Sequence, residues 1–320
     1  MREPACLTAG RRVVRVIAGD GMIRGFEELE TLVRQGARKR LVLAMAEEED
    51  GLKAAVAAAA QGVVEPVLVG NPRQVREVAA HEGLDLGSFR LVPAEGEKEC
   101  AARAVELLRA GEAEVLMKGK TATSALMKAV LDSAGGLKGP GLLSHLTLIQ
   151  SSAYPKLLFM SDPGLNISPD ISAKAAIIEN AVRAARKLGL FKPKVAVVAA
   201  VEKVNPGAMP ATVDAAALSK MAERGQIADC LVDGPLALDC ALSDRACAVK
   251  GVGGEVAGDA DILLMPDIEA ANIFYKAVAF FSGARMAGVV VGARVPIVLP
   301  SRADSDAVKY DSILAALALA

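Results

Sequence analysis

The segments with the clearest chemical content are short polar stretches that follow apolar runs. After Val115–Met117 comes Lys118-Gly119-Lys120-Thr121-Ala122-Thr123, a turn of small residues with two lysines and two hydroxyls that leads into a helix. Such a turn offers backbone N–H groups and positive charge to an anion. Its plainer reading is a helix cap by Thr121 or Thr123. Leu299-Pro300-Ser301-Arg302-Ala303-Asp304-Ser305 carries a serine and an arginine to the tip of another apolar strand, with a helix beginning near Asp304 or Ser305. The planar guanidinium fork suits phosphate or a developing oxyanion. Otherwise Arg302 is a surface group ahead of a capped helix. Ser161-Asp162-Pro163-Gly164-Leu165-Asn166 sets Asp162 at a strand end and Asn166 in the next turn, where the pair orients a substrate or only forms the turn. Asp233, Asp239 and Asp267 repeat the theme, which suggests a shared acidic rim in which at least half serve as caps.

Other motifs fail on inspection. The GKT at Gly119–Thr121 lacks the earlier glycine of a phosphate-binding P-loop, because position 114 is Glu114. Gly251-Val252-Gly253-Gly254 is no dinucleotide fingerprint, since Val256 occupies the third glycine position. No GxSxG elbow surrounds any serine, so acyl-enzyme chemistry has little support. His81 and His145 stand in no zinc motif, and no metal site is expected. His145 reads as a satisfied structural histidine, and Cys240 and Cys247 as core thiols on a helix.

The elements that position these loops alternate. Leu41–Ala46, Val64–Gly70, Phe89–Val92 and Val115–Met117 are apolar without in-out alternation, as strands buried on both faces are. Gly51–Gln61, Pro72–His81 and Lys98–Arg109 are helix candidates, the second with Asn71 as cap and Pro72 at its first position. The β-α-β-α order predicts a parallel sheet. A second series follows the glycine-rich bend at Ala134–Gly141. Ser144–Ile149 and Lys156–Met160 are adjacent strands joined by a turn, Ile171–Lys187 is a helix, and Val195–Val201 a strand. Next come helix Asp214–Arg224, strands Cys230–Val232 and Ile262–Met265, and helix Glu269–Phe281. Strands Val289–Val291 and Ile297–Leu299 and helix Asp304–Ala318 close the chain. Met1–Gly25 is not placed.

Composition bounds the function. At 320 residues, with 52% hydrophobic and 23% charged, the chain suits two folded domains and excludes disorder. With 3% aromatics, no Trp and a net charge of −1, there is neither a stacking platform nor a global field for nucleic acid or an anionic membrane. Five cysteines in a long chain indicate a reducing cytoplasm rather than a disulfide framework, which makes the Asn166-Ile167-Ser168 sequon incidental. No stretch approaches the ~18 apolar residues of a membrane span.

Three segments together, VDGPLALDCAL at 232–242, GEVAGDADILLMPDIEAANIFYKA at 254–277 and PIVLPSRADS at 296–305, resemble the phosphate acetyltransferase and phosphate butyryltransferase family, most closely its butyryl branch. The likeness runs from about Glu27 to the C-terminus. It implies an isocitrate/isopropylmalate-dehydrogenase-like α/β fold in which two αβα domains with mainly parallel sheets flank a cleft. Domain I would comprise 1–141 plus 291–320 and domain II 142–290, in a homodimer. The implied reaction is acyl-CoA plus phosphate giving acyl phosphate plus CoA, with CoA thioester as substrate and no resident cofactor. By the resemblance, Arg302 engages phosphate and Ser301 helps hold the thioester. Asn272, Tyr275 and Lys276 match a cleft segment, and Gly119, Thr121 and Thr123 a phosphate-side loop. One position departs from the family: where the acetyl branch has a general-base Asp, seven residues after the serine, this chain has Val308. Asp304 is the nearest substitute. Arg73, Arg76, Arg90 and Lys138 are candidates for the adenosine phosphate. A dehydrogenase of the same fold and a non-catalytic acyl-CoA binder are the other classes; the first would produce NADH, the second would bind without releasing thiol.

Overall fold

Apolar runs that lack a polar face have to be covered on both sides, and Leu41–Ala46, Val64–Gly70 and Val115–Met117 here form inner strands of one large sheet; Phe89–Val92, expected to be buried likewise, instead gives the edge strand, with Arg90 and Pro93 exposed. The computed structural model describes residues 23–87, 89–139, 141–301 and 303–320; most of the unplaced N-terminal segment, and Arg302, lie outside the described residues. The first elements are α1 (Phe26–Gln35), β1 (Lys39–Ala44), α2 (Glu49–Ala60), β2 (Val64–Gly70), α3 (Pro72–His81), β3 (Arg90–Pro93), α4 (Gly96–Arg109), β4 (Val115–Lys118) and α5 (Thr123–Val130). The chain continues through β5 (Ser144–Gln150), β6 (Leu158–Ser161), α6 (Ile171–Lys187), β7 (Lys194–Val198), α7 (Ala211–Glu223) and β8 (Leu231–Leu236). It ends with α8 (Leu238–Leu242), α9 (Asp244–Lys250), β9 (Ile262–Leu264), α10 (Ile268–Phe281), β10 (Arg285–Val291), β11 (Ile297–Val298) and α11 (Asp306–Leu319).

Helix starts follow capping chemistry. Asn71 Oδ1 accepts from the amides of Arg73 (3.0 Å) and Gln74 (3.2 Å) ahead of Pro72. Asp267 accepts from Ala270 N at 2.8 Å, which makes it the cap of α10 and not part of an acidic rim. Asp233, within β8, and Asp239, within α8, each accept from the amide of the residue that follows, Gly234 and Cys240. Cys240 and Cys247 occupy two short helices rather than one, divided at the Ser243 cap.

The strand order is β3-β2-β1-β4-β11-β10-β5-β6-β9-β7-β8. Pairing is parallel throughout except around β10 and β5, where β10 runs antiparallel to β11 and β5, and β5 antiparallel to β6. The expected β5–β6 turn is therefore present, within a mainly parallel α/β sheet. Two elements differ from expectation. Helix α1 forms where no element is predicted, burying Phe26 and Leu29 against the body of the protein. Strand β10 begins four residues early, because Arg285 finds partners in Asp311 (2.7 Å) and Glu27 (2.6 Å) and is no barrier to sheet formation.

The two faces of the sheet are packed differently. On one face a single apolar core runs across it, joining Leu43, Leu146, Leu148, Ala287, Val289 and Val197 beneath α2, α6, α7 and α11. On the other face there are two cores. One gathers Val42, Leu116, Val290 and Ile297 under α4 and α5; the other gathers Ile149, Met160, Leu263 and Met286 under α8, α9 and α10. Between them the alternation of β5 and β10 presents His145, Thr147 and Gly288, which belong to neither core. This polar strip separates the two cores, with His145 and Gly288 partly exposed and Thr147 buried.

Candidate phosphate and thioester site

Strands β1, β4 and β11 are parallel, so their carboxyl ends open on one edge, and strand order reverses between β1 and β4. Such switch points are where open α/β sheets receive ligands. Met45, just after β1, adopts the left-handed region at φ 61°, unusual for a residue with a long side chain. Its carbonyl accepts from Lys120 N and the Ala44 carbonyl from Gly119 N, each at 2.9 Å. A Cβ on Gly119 would lie 2.3 Å from Met45 O, so the loop closes this tightly only with glycine.

The loop borders a depression of about 250 Å³ whose lining includes Lys118, Gly119, Lys120, Ser301 and Lys309, with Glu48 and Asp50. Three ammonium groups against two carboxylates give a locally positive lining in a chain of net charge −1. Lys309 is 3% exposed and its Nζ lies 3.3 Å from Asp50. Helix α5 has Ala122 as its N-cap and no side-chain cap bond. Neither threonine therefore plays the capping role: Thr121 is buried, its Oγ1 donating weakly to Ala122 O at 3.4 Å, and Thr123 is exposed.

A second group adjoins it. Asp304 accepts from Ser301 N at 2.8 Å and from the Tyr275 hydroxyl at 3.1 Å, so one carboxylate ties α10 to the loop after β11. Ser301 Oγ accepts from Ala303 N at 3.3 Å. Burial, and next the Asp304 carboxylate, push the Tyr275 phenol far above its usual value, which keeps it a hydrogen-bond donor.

The third group is a scaffold. Asp162 Oδ1 accepts from Gly164 N (2.9 Å) and Leu165 N (3.0 Å), and Asn166 Nδ2 donates to Asp162 Oδ2 (2.5 Å) and Leu143 O (2.9 Å). Asn272 Nδ2 donates to Pro163 O at 3.0 Å, fastening α10 to the same turn. Both carboxylate oxygens of Asp162 are thereby committed. Lys276 lies on the exposed side of α10. Of the adenosine-phosphate candidates, Arg73 pairs with Glu77 and Arg90 with Glu112 on the surface, and the structure does not bring them to the depression.

His145 differs from its expectation. Its Nδ1 is buried without a hydrogen-bond partner, and so is Oγ1 of Thr147 beside it. Burial lowers its pKa, against the opposing pull of Asp162 and Asp304. The signal available in the sequence was only its place at the start of an apolar strand. Elsewhere, Glu202, Asp239 and Cys240 form a grouping of metal-type ligands, but Lys250 Nζ already lies 2.8 Å from both carboxylates.

A depression at a strand-order reversal, lined by three lysines and Ser301 with two carboxylates, is suited to an enzyme that handles anionic substrates. The family model for phosphate acetyl/butaryl transferase matches residues 26–103 and 98–318. The chain is 42% identical over 297 residues to a phosphate butyryltransferase of Clostridium acetobutylicum, covering 92% of this chain and 98% of that one. It is 43% identical over 287 residues to a phosphate acetyltransferase of Thermotoga maritima, covering 89% and 97%. Among solved structures, a branched-chain phosphotransacylase from Enterococcus faecalis V583 superposes with a TM-score of 0.77 at 32% identity, over 88% of this chain and 98% of that one. A 4-hydroxythreonine-4-phosphate dehydrogenase from Burkholderia phymatum shares the fold alone, at TM-score 0.51 and 16% identity over 88% of this chain and 97% of that one. The chain belongs to the phosphate acetyl/butyryl transferase family and is a phosphate acyltransferase.

Proposed function

We propose that the substrate is butyryl-CoA or another short acyl-CoA, transferred directly to phosphate in a ternary complex, with acetyl-CoA the lesser donor. Direct attack requires two reactants held in line and donors for the tetrahedral oxyanion. The Lys118–Thr123 loop, with Arg302 from the adjoining sequence, binds phosphate; Ser301 and Tyr275 orient the thioester. Asp304 holds those two in register, and the Asp162–Asn166–Asn272 scaffold fixes the start of α10 over the cleft. The observation that carries this reading is the bridge Ser301–Asp304–Tyr275 beside the lysine-lined depression. The butyryl preference rests on the sequence resemblance to the butyryl branch; the near full-length matches include a phosphate butyryltransferase and a phosphate acetyltransferase alike.

The sheet is divided accordingly: β3 to β11 with α11 form domain I, and β10 to β8 form domain II, so that substrates meet where the two flank cores part. The outer face of α10 exposes Ile273 (69%), Phe280 (74%) and Phe281 (90%), opposite the side bearing Tyr275. A second copy of the chain covers this apolar face in a homodimer, which sedimentation of a Phe281→Glu variant tests. Four free thiols, Cys100, Cys230, Cys240 and Cys247, support work in a reducing cytoplasm. The deciding experiment is a thiol-release assay across acetyl-, propionyl-, butyryl- and isobutyryl-CoA with phosphate. The proposed donor predicts a profile that peaks at four carbons, and because a methylene in a pocket changes selectivity by ~1–3 kcal/mol the fall-off per carbon should be about 10- to 200-fold. A peak at acetyl-CoA contradicts the proposed donor.

A further inference from the structure

Resting on the phosphate acyl transfer reading, the proton of the reaction still needs a carrier. Val308 occupies the position where the sequence resemblance calls for a carboxylate, and both oxygens of Asp304 already accept hydrogen bonds. The polar strip of the sheet between the two flank cores holds another titratable group, His145. Buried polar atoms almost always have partners. Among the described residues three buried side-chain atoms have none, and two of them, His145 Nδ1 and Thr147 Oγ1, stand next to each other on the outward face of β5. The ring is held by bare backbone on two sides. A Cβ on Gly288 would lie 2.8 Å from its Cε1, and one on Gly164 3.5 Å from its Cδ2. The residue is partly exposed, so a niche that seals one nitrogen leaves part of the ring open. The groups facing it are Asp162 at the end of β6 and Asp304 after β11, with Tyr275 of α10 bonded to the latter.

We propose that His145 carries the proton of the acyl transfer, taking it from the attacking phosphate and delivering it to the departing sulfur of CoA. Monohydrogen phosphate forms the new O–C bond at the thioester carbonyl as its P–OH proton passes to the imidazole. The C–S bond then breaks and the imidazolium protonates the thiolate, leaving acyl phosphate dianion and CoA thiol. In the reverse direction the neutral ring takes the thiol proton as sulfur attacks. Burial keeps the ring neutral in the resting enzyme, and the two carboxylates stabilise the transient cation.

The test is His145→Gln in the butyryl-CoA assay. Turnover should fall by about 10²- to 10⁴-fold, with KM for both substrates close to wild type. The acid limb of the kcat–pH profile should vanish in this variant and persist in Asp304→Asn. Near wild-type turnover, or loss of the limb in Asp304→Asn alone, overturns the proposal. A second measurement uses the intact enzyme: with two histidines in the chain, two ring resonances are followed by NMR, assigned through His81→Gln. Phosphate or CoA should shift the His145 resonance and leave that of His81 in place. A His145 resonance unmoved by either ligand, as a niche filled only by water would give, refutes the assignment. An inactive wild-type enzyme would instead refute the acyl-transfer reading beneath it.

Discussion

Removing one oxygen atom, in Tyr275→Phe, isolates the bridge between α10 and the Ser301 loop. The ring packs against the core formed with Ile149, Met160 and Met286 and keeps that packing in phenylalanine. What is lost is a 3.1 Å hydrogen bond from a neutral hydroxyl to the Asp304 carboxylate. Bonds to charged groups contribute about 1.5–3 kcal/mol. If that energy serves to hold Ser301 and the thioester in the reactive geometry, kcat/KM should drop by roughly 10- to 150-fold, a factor of ten for each 1.36 kcal/mol. Steady-state thiol release gives the rate and a thermal melt the stability; the melting temperature should move by no more than about 3 °C. Burial raises the tyrosine's pKa, so the wild-type hydroxyl is a donor throughout the neutral range and the defect should not depend on pH there. A variant within twofold of wild-type kcat/KM would refute a bridge that positions the reacting groups.

Gly119→Ala places a Cβ 2.3 Å from the Met45 carbonyl, and should cost about 1–3 kcal/mol of stability while raising KM for phosphate; unfolding and phosphate-saturation curves check both. The depressed pKa of His145 makes folding sensitive to acid. The unfolded chain binds the proton near about pH 6.5 and the folded one only at lower pH, so stability is flat above about 6.5 and declines as pH falls toward the folded value; in His145→Gln that part of the decline in denaturant midpoint should disappear. Burial pushes Cys100 and Cys230 up to about 11 and Cys240 up to about 12. Alkylation at pH 8 followed by mass spectrometry should leave these three unmodified until denaturant is added, because thiolate is the reactive form.

The inner strands were legible because a buried parallel strand must be apolar where it is covered on both faces, as Val67–Val69 and Val115–Met117 are. Asn71 with Pro72 announced α3 because that pair satisfies orphan amides by local chemistry. Legibility failed where long-range partners decide. Arg285 looks out of place in a strand until Asp311 and Glu27 close around it from α11 and α1. Asp267 looked like a rim carboxylate and is a cap, since a short side chain at a strand end serves either use. The loops at Gly119 and Ser301 could be singled out one by one, yet their meeting depends on the β1–β4–β11 order, which no local pattern encodes. His145 was missed for the same reason: whether a strand histidine is satisfied depends on what its neighbours lack, here the side chains absent at Gly164 and Gly288.

The most direct test of the account is the stoichiometry of one reaction, with butyryl-CoA, with and without phosphate, free thiol being measured alongside acyl phosphate trapped as its hydroxamate. Direct transfer predicts one acyl phosphate for each CoA released, and no release when phosphate is absent. Thiol release without phosphate, or release in excess of acyl phosphate from the first turnovers, would contradict it.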